Sequence, residues 1–248
     1  MVFGFGYKAK NIPSYPSAIS GCVLHLAADF GITLSSNLTM QVSGWADQSG
    51  GGGAGARGGI GVNGFTQTTI ANQPIYFSGG SANGAPYLTF TIAGASQMAS
   101  AQPVTTNTTN WTQFIVVQVL NTAVLNQFIF STGSGNGFGF EQTSTTRAIL
   151  ETGVGGEVFG TTSSNWEAWA NWDTAGVNTT CQVNGVAVSS AGNISPTAAT
   201  TASTLGSTAG SGAGSGTFNL SEVIVYSRTL ATGELASVNN YLQSKYRL

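Results

Sequence analysis

Charge is what this chain has least of. Of 248 residues, 7 are Lys or Arg and 9 are Asp or Glu, so 6% are charged and the formal net charge is −2. An ordinary soluble domain carries roughly 25% charged residues. Between Asp47 and Glu141 the one charged residue is Arg57, and between Asp173 and Glu222 there is none. So thin a scatter of cations cannot neutralise a run of phosphates, which excludes a nucleic-acid binder. A chain with 41% hydrophobic residues is equally unlike a charge-extended disordered one.

Other absences narrow the chemistry. His25 is the single histidine, which argues against a serine triad or a histidine-ligated zinc. Its place in a strand pattern reads as a packed position. Two cysteines, Cys22 and Cys181, make no disulfide framework and read as small buried apolar side chains. No apolar run reaches the roughly 18 residues of a membrane span. The opening Met1 to Lys8 stretch lacks the basic and apolar regions of a secretory leader, so no signal peptide is expected. Glycosidases place two carboxyl groups about 5–9.5 Å apart, which along a strand means an acid-x-acid spacing. Glu141, Glu151, Glu157, Glu167 and Asp173 all stand alone. No catalytic residue is therefore expected; a hydrolase would have to depend on Glu141 or Glu167.

What fills the chain instead is Ser, Thr, Asn, Gln, Ala and 35 glycines. A surface of this kind is hydrated through hydrogen bonds and has little electrostatic defence against self-association. That composition suits a protein outside the cell or within a large assembly, and a homo-oligomer is expected.

Short extended segments recur along the chain. Val23 to Leu26, Met40 to Trp45, Pro74 to Phe77, Tyr87 to Ile92 and Thr112 to Leu120 read as strands. So do Asn126 to Ser131, Gly137 to Glu141, Arg147 to Glu151, Trp166 to Asp173 and Phe218 to Tyr226. The Phe114 to Val119 run has no polar alternation and reads as buried on both faces. Thr179 to Val183 and Val186 to Val188 flank Asn184-Gly185, a dipeptide that tolerates two positive φ angles and so marks a hairpin. Many short strands between Gly and Asn turns predict an all-β sandwich. At the C-terminus Leu235, Val238, Leu242 and Tyr246 recur at helical spacing. Thr232 is the expected cap, and Lys245 and Arg247 suit the helix dipole. Residues 1–20 show no period but carry Phe3, Phe5, Tyr7 and Tyr15. They read as an anchoring arm ahead of a single domain at 21–248.

Three stretches carry a family resemblance. The first is Gly21-Cys22-Val23-Leu24-His25-Leu26-Ala27-Ala28-Asp29, followed by Val42-Ser43-Gly44-Trp45-Ala46-Asp47-Gln48-Ser49-Gly50. The second is Asn72 to Tyr76 followed by Asn83 to Phe90, and the third runs from Ser221 to Leu230 into the terminal helix. In this order they resemble the laminin-G-like branch of the concanavalin A-like lectin/glucanase superfamily, found in many bacterial and phage proteins. The resemblance implies a two-sheet antiparallel jelly roll of about a dozen strands, closed by a short helix. Two departures weaken any transfer of a calcium or sugar site. The glycine-rich 50–64 loop is bare where relatives tend to carry Asn and Asp, and Thr91-Ile92-Ala93-Gly94 stands where relatives carry an aspartate-glycine.

Site expectations follow. The glycine-rich loop has no Lys-Ser/Thr after it and no following helix, so it is no phosphate cradle. Asp29 and Asp47 are the candidate calcium ligands; otherwise no cofactor is expected. Of five tryptophans, Trp45, Trp111, Trp166 and Trp172 fall where core anchors belong. Trp169 alternates with the last two and is the candidate exposed platform for a sugar. The functional expectation is a non-enzymatic bacteriophage virion protein: a capsid decoration, fibre or surface appendage that binds other virion proteins and host glycans. The alternative is a carbohydrate-binding module of a secreted or cell-surface bacterial protein.

Overall fold

The computed structural model describes residues 16–36, 40–50, 63–81, 83–101, 103–104, 110–120, 127–132, 138–143, 146–151, 157–174, 179–188, 202–207 and 216–248. The arm residues Phe3, Phe5, Tyr7 and Tyr15, and most of the glycine-rich loop, lie outside the described residues. The first strands are β1 (Cys22–Ala27), β2 (Ile32–Leu34), β3 (Val42–Trp45), β4 (Phe65–Thr66), β5 (Ile75–Phe77) and β6 (Tyr87–Phe90). The middle ones are β7 (Met98–Ser100), β8 (Asn110–Val119), β9 (Gln127–Ser131), β10 (Phe138–Thr143), β11 (Thr146–Glu151) and β12 (Glu157–Thr161). Last come β13 (Trp166–Thr174), β14 (Thr180–Val183), β15 (Val186–Val188), β16 (Thr204–Leu205), β17 (Phe218–Tyr226) and the helix α1 (Thr232–Tyr246).

The strands form two antiparallel sheets. The front sheet runs β15-β14-β13-β8-β17-β6-β5, with β1 also on β17. The long β17 pairs with β8 along one side; β6 and β1 share the other. The back sheet runs β12-β11-β10-β9-β16-β7-β4-β3-β2. At one edge Gln41 bridges to Ile75, Val42 N–H donates to Pro74 O, and Tyr76 N–H donates to Met40 O. These bonds stitch the sheets together and cover the outer edge of β5, which would otherwise offer an unpaired ladder.

Alternation sends Ile115, Val117, Trp169, Val223 and Val225 inward against Phe130, Phe140 and Phe159 of the back sheet. The opposite face of the front sheet carries Phe114, Val116, Ala168, Ala170, Ile224 and Tyr226, and α1 covers it with Val238, Tyr241, Leu242 and Tyr246. The middle of the front sheet is therefore apolar on both sides, which is why β8 shows no alternation. The small Ala168 and Ala170 leave room for the helix. Five strands of no more than five residues (β2, β4, β7, β12 and β16) escape a sequence reading.

Two expectations for α1 change. Ala231, not Thr232, is the N-cap. Its N–H donates to Glu234 Oε2 at 2.9 Å, and Arg228 holds the same carboxylate from outside. That acid at the third helical position takes over the capping, so Thr232 becomes the first helical residue. Lys245 turns back onto the sheet rather than toward the last carbonyls, and Arg247 is the C-cap with φ 54.

Lys245 goes to a buried cluster. Glu222 on β17 is 1% exposed. It accepts hydrogen bonds from His25 Nε2 at 2.8 Å, Lys245 Nζ at 2.9 Å and Tyr246 Oη at 2.7 Å. Lys245 also donates to Asp29 at 3.1 Å. Burial pushes the Glu222 carboxyl up, but the Lys245 charge and the His25 bond outweigh it and hold the group at about 2. Burial alone would lower Lys245; the Glu222 charge raises it well above the usual lysine range. His25 is thus the packed residue expected, tying β1 to β17 under the helix.

Candidate functional site

The other flank of α1 is open. A groove of about 470 Å³ runs between it and β13, β14 and the hairpin turn. The half-buried Trp172 forms its floor, Gln182 and Gly185 one wall, and Thr232, Leu235, Ala236, Asn239, Asn240 and Gln243 the other. The helical contribution is a stripe at i, i+3, i+4, i+7, i+8 and i+11, lying beside the apolar stripe that holds the helix down.

Local bonds fix this wall. Asn184 and Gly185 adopt φ 52 and φ 75, the two positive angles predicted for the hairpin. Asn184 Oδ1 accepts from Ala168 N–H at 2.8 Å, which locks the turn onto β13. Gln243 Nε2 donates to Asn184 O at 2.7 Å, and Asn239 Nδ2 donates to Gln182 Oε1 at 2.8 Å. Each of these bonds holds one end of an amide and orients the other. Gln182 Nε2 remains as a donor, and Asn239 Oδ1 and Gln243 Oε1 remain as acceptors, with no partner among the described residues. The described lining contains no charged side chain. An indole face beside fixed, neutral donors and acceptors can stack against the C–H face of a sugar ring while pairing with its hydroxyls.

The structure places the candidate residues of the sequence reading elsewhere. Trp169 is fully buried. Its ring meets Phe159 edge-on at 5.9 Å and Phe140 at 6.2 Å, and its indole N–H donates to Glu167 Oε2 at 2.7 Å. It is no exposed platform. The period-2 pattern of β13 is right, but the face carrying Trp169 is the inner one. Trp166 and Trp172 lie on the outer face, half-buried. Trp166 packs edge-on against Tyr87, which stacks on Phe77, so Trp172 is the tryptophan at the groove.

Asp47 is buried and does not suit calcium. Its carboxylate accepts from His25 N–H, Ser49 N–H, Ser49 Oγ–H and Asn63 N–H. A carboxylate surrounded by hydrogen-bond donors orders its own turn and has no room for a cation. Asp29 pairs with Lys245. Among the described residues no cluster of three His, Cys, Asp or Glu could hold a metal. Glu167 is buried and held by Arg147 Nε at 2.9 Å and by Ser163 Oγ at 2.9 Å; the Glu141 side chain lies outside the described residues. Cys22 and Cys181 are in no disulfide, and burial pushes the Cys22 thiol far up. The sequence reading missed Trp172 as a surface residue and Gln182, Asn239, Asn240 and Gln243 altogether. The available signal was the polar stripe of α1.

No protein-family model and no curated protein matches the chain. Solved structures match it in fold, at identities too low to show more. The binding domain of Paraclostridial Mosquitocidal Protein 1 is 11% identical with a TM-score of 0.62, covering 91% of this chain and 52% of that one. Domain 4 of a GH43 extracellular arabinanase from Geobacillus stearothermophilus, solved in complex with arabinotriose, is 12% identical with a TM-score of 0.57. There the match covers 88% of this chain and 98% of that one. Trypanosoma rangeli sialidase is 13% identical with a TM-score of 0.52, and the chain, 92% covered, spans 33% of its length. The shared feature is the fold, an antiparallel β-sandwich.

Proposed function

We propose that the chain is a non-enzymatic, glycan-binding β-sandwich displayed on a bacteriophage virion as a capsid decoration, fibre or surface appendage. The observation that carries the binding reading is the uncharged groove, with Trp172 on its floor and amides fixed by their own hydrogen bonds. Support for a non-catalytic role comes from the carboxylates. Asp29, Asp47, Glu167, Glu222 and Glu234 are each tied to structural partners. Support for a place within a particle comes from the neutral Ser/Thr/Gly surface, which favours contact with other protein, and from the resemblance to the laminin-G-like branch. A second reading is favoured by the arabinanase Domain 4, whose length this fold covers almost entirely: a carbohydrate-binding module of a secreted or cell-surface bacterial protein.

A glycan array probed with the chain and with Trp172→Ala, together with mass spectrometry of purified virions, tests both. The expected result is binding lost in the variant, with the chain present in the particle. Binding without any particle-associated copy would favour the secreted module. A blank array would sink the glycan reading.

A further inference from the structure

We infer that the groove selects neutral, hydroxyl-rich glycans and rejects those bearing carboxylate or sulfate groups; this rests on the glycan-binding reading above. The first ground is electrostatic. None of the described lining residues is charged, and the sequence between Asp173 and Glu222, which supplies β14 and β15, has no charged residue. Of the cations of the neighbouring elements, Arg228 and Lys245 are committed elsewhere, and Arg247, the exposed C-cap of α1, stands outside the lining. Arg228 is bidentate to Glu234, at 2.7 and 2.6 Å, and Lys245 is on Glu222 and Asp29. An acidic sugar entering the groove would give up water and gain no counter-charge.

The second ground is the direction of the amides. Asn239 Oδ1 and Gln243 Oε1 are acceptors turned away from the strands, because one N–H of each amide is held by Gln182 Oε1 and by Asn184 O, which fixes the direction of the group. A hydroxyl both donates and accepts, so it can satisfy these oxygens and also the donor at Gln182 Nε2. A carboxylate or sulfate only accepts, and would set its lone pairs against those of Asn239 and Gln243. That mismatch is repulsive, and it produces specificity by penalising the wrong ligand. Trp172 supplies the remaining requirement, an apolar face for ring C–H groups. The volume of about 470 Å³ is in the range of small-ligand pockets and suits a short oligosaccharide.

The test is a titration of the full ¹⁵N-labelled chain followed by NMR. The indole N–H of Trp172 and the side-chain amides of Gln182, Asn239 and Gln243 are the reporters. Arabinotriose, maltotriose and mannotriose are the neutral probes; sialyllactose and trigalacturonic acid are the acidic ones. At least one neutral probe should shift the Trp172 indole saturably, with acidic probes binding about tenfold weaker or not at all. Trp172→Ala should abolish the response. Ala236→Arg, at an exposed wall position, should block the neutral probes even if Trp172→Ala fails to fold. Asn240→Lys, at an exposed position with no structural bond, should restore binding of the acidic probes.

Acidic probes binding as tightly as neutral ones would overturn the selectivity while leaving the glycan reading intact. Neutral binding with no shift at Trp172, or unchanged in Ala236→Arg, would overturn the assignment to this groove. No response to any probe would remove both the inference and the reading beneath it.

Discussion

Trp169 and Trp172 stand three residues apart on one strand and differ in nearly every contact. The inner Trp169 is packed among Phe140, Phe159 and the Arg147–Glu167 ion pair, with the guanidinium 5.5 Å from its ring centre. Truncating it opens a cavity and removes one of the donors on a buried carboxylate, so Trp169→Ala should cost about 3–5 kcal/mol. Trp172 keeps part of its face in solvent, and Trp172→Ala should cost about 1–2 kcal/mol while removing ligand binding. Urea unfolding of the two variants separates these outcomes. Equal losses would mean that Trp172 is a core residue and not a binding surface.

The helix is fastened on both flanks, and the groove exists because the fastenings differ. On the β17 side it is charged and closed, through Lys245 and Tyr246 on Glu222. On the β14 side it is neutral and only partly closed, through Asn239 and Gln243. The hairpin turn links strand geometry to the site. Gly185 has φ +75, and a Cβ there would sit 2.6 Å from Gln243 Nε2. Gly185→Ala should therefore cost about 1–2 kcal/mol from the left-handed backbone. It should also displace the Gln243 amide, so ligand affinity falls further than stability. Comparing the unfolding midpoint with the titration of a neutral oligosaccharide checks this; an unchanged affinity would show that Gln243 takes no part in the site.

At the scale of the whole molecule, most of the described charges are paired with one another. Glu222, Lys245, Asp29, Arg147, Glu167, Arg228 and Glu234 all join ion pairs. A consequence is a defined pH response. The Glu222 carboxyl lies at about 2 in the fold against an ordinary 4.5. Its contribution is fully present above about 4.5 and is lost as pH falls from there through 2. The raised Lys245 amine contributes below its ordinary value and loses that contribution only as pH rises beyond it. Urea midpoints should be level between roughly pH 5 and 9 and fall below about 4.5, and Glu222→Gln should flatten that acid limb while lowering the plateau by about 3–5 kcal/mol. An acid limb unchanged in this variant would place the titrating group elsewhere.

The sequence by itself determined the class of this protein. Alternation, the Asn184-Gly185 turn, the double-sided burial of β8 and the apolar stripe of α1 are local, and each follows from side-chain period and φ preference alone. It also determined that charge would be scarce. Only the tertiary structure decided which face is which. The period of β13 places Trp169 opposite Trp166 and Trp172, but nothing local states which set meets the other sheet and which meets a helix about sixty residues further along the chain. The same holds for Glu222, whose partners at positions 25 and 245 are joined by the packing of β1 and α1 around it. The groove lies between elements distant in the chain, so its amides acquire a direction only when the turn and the helix are bonded together.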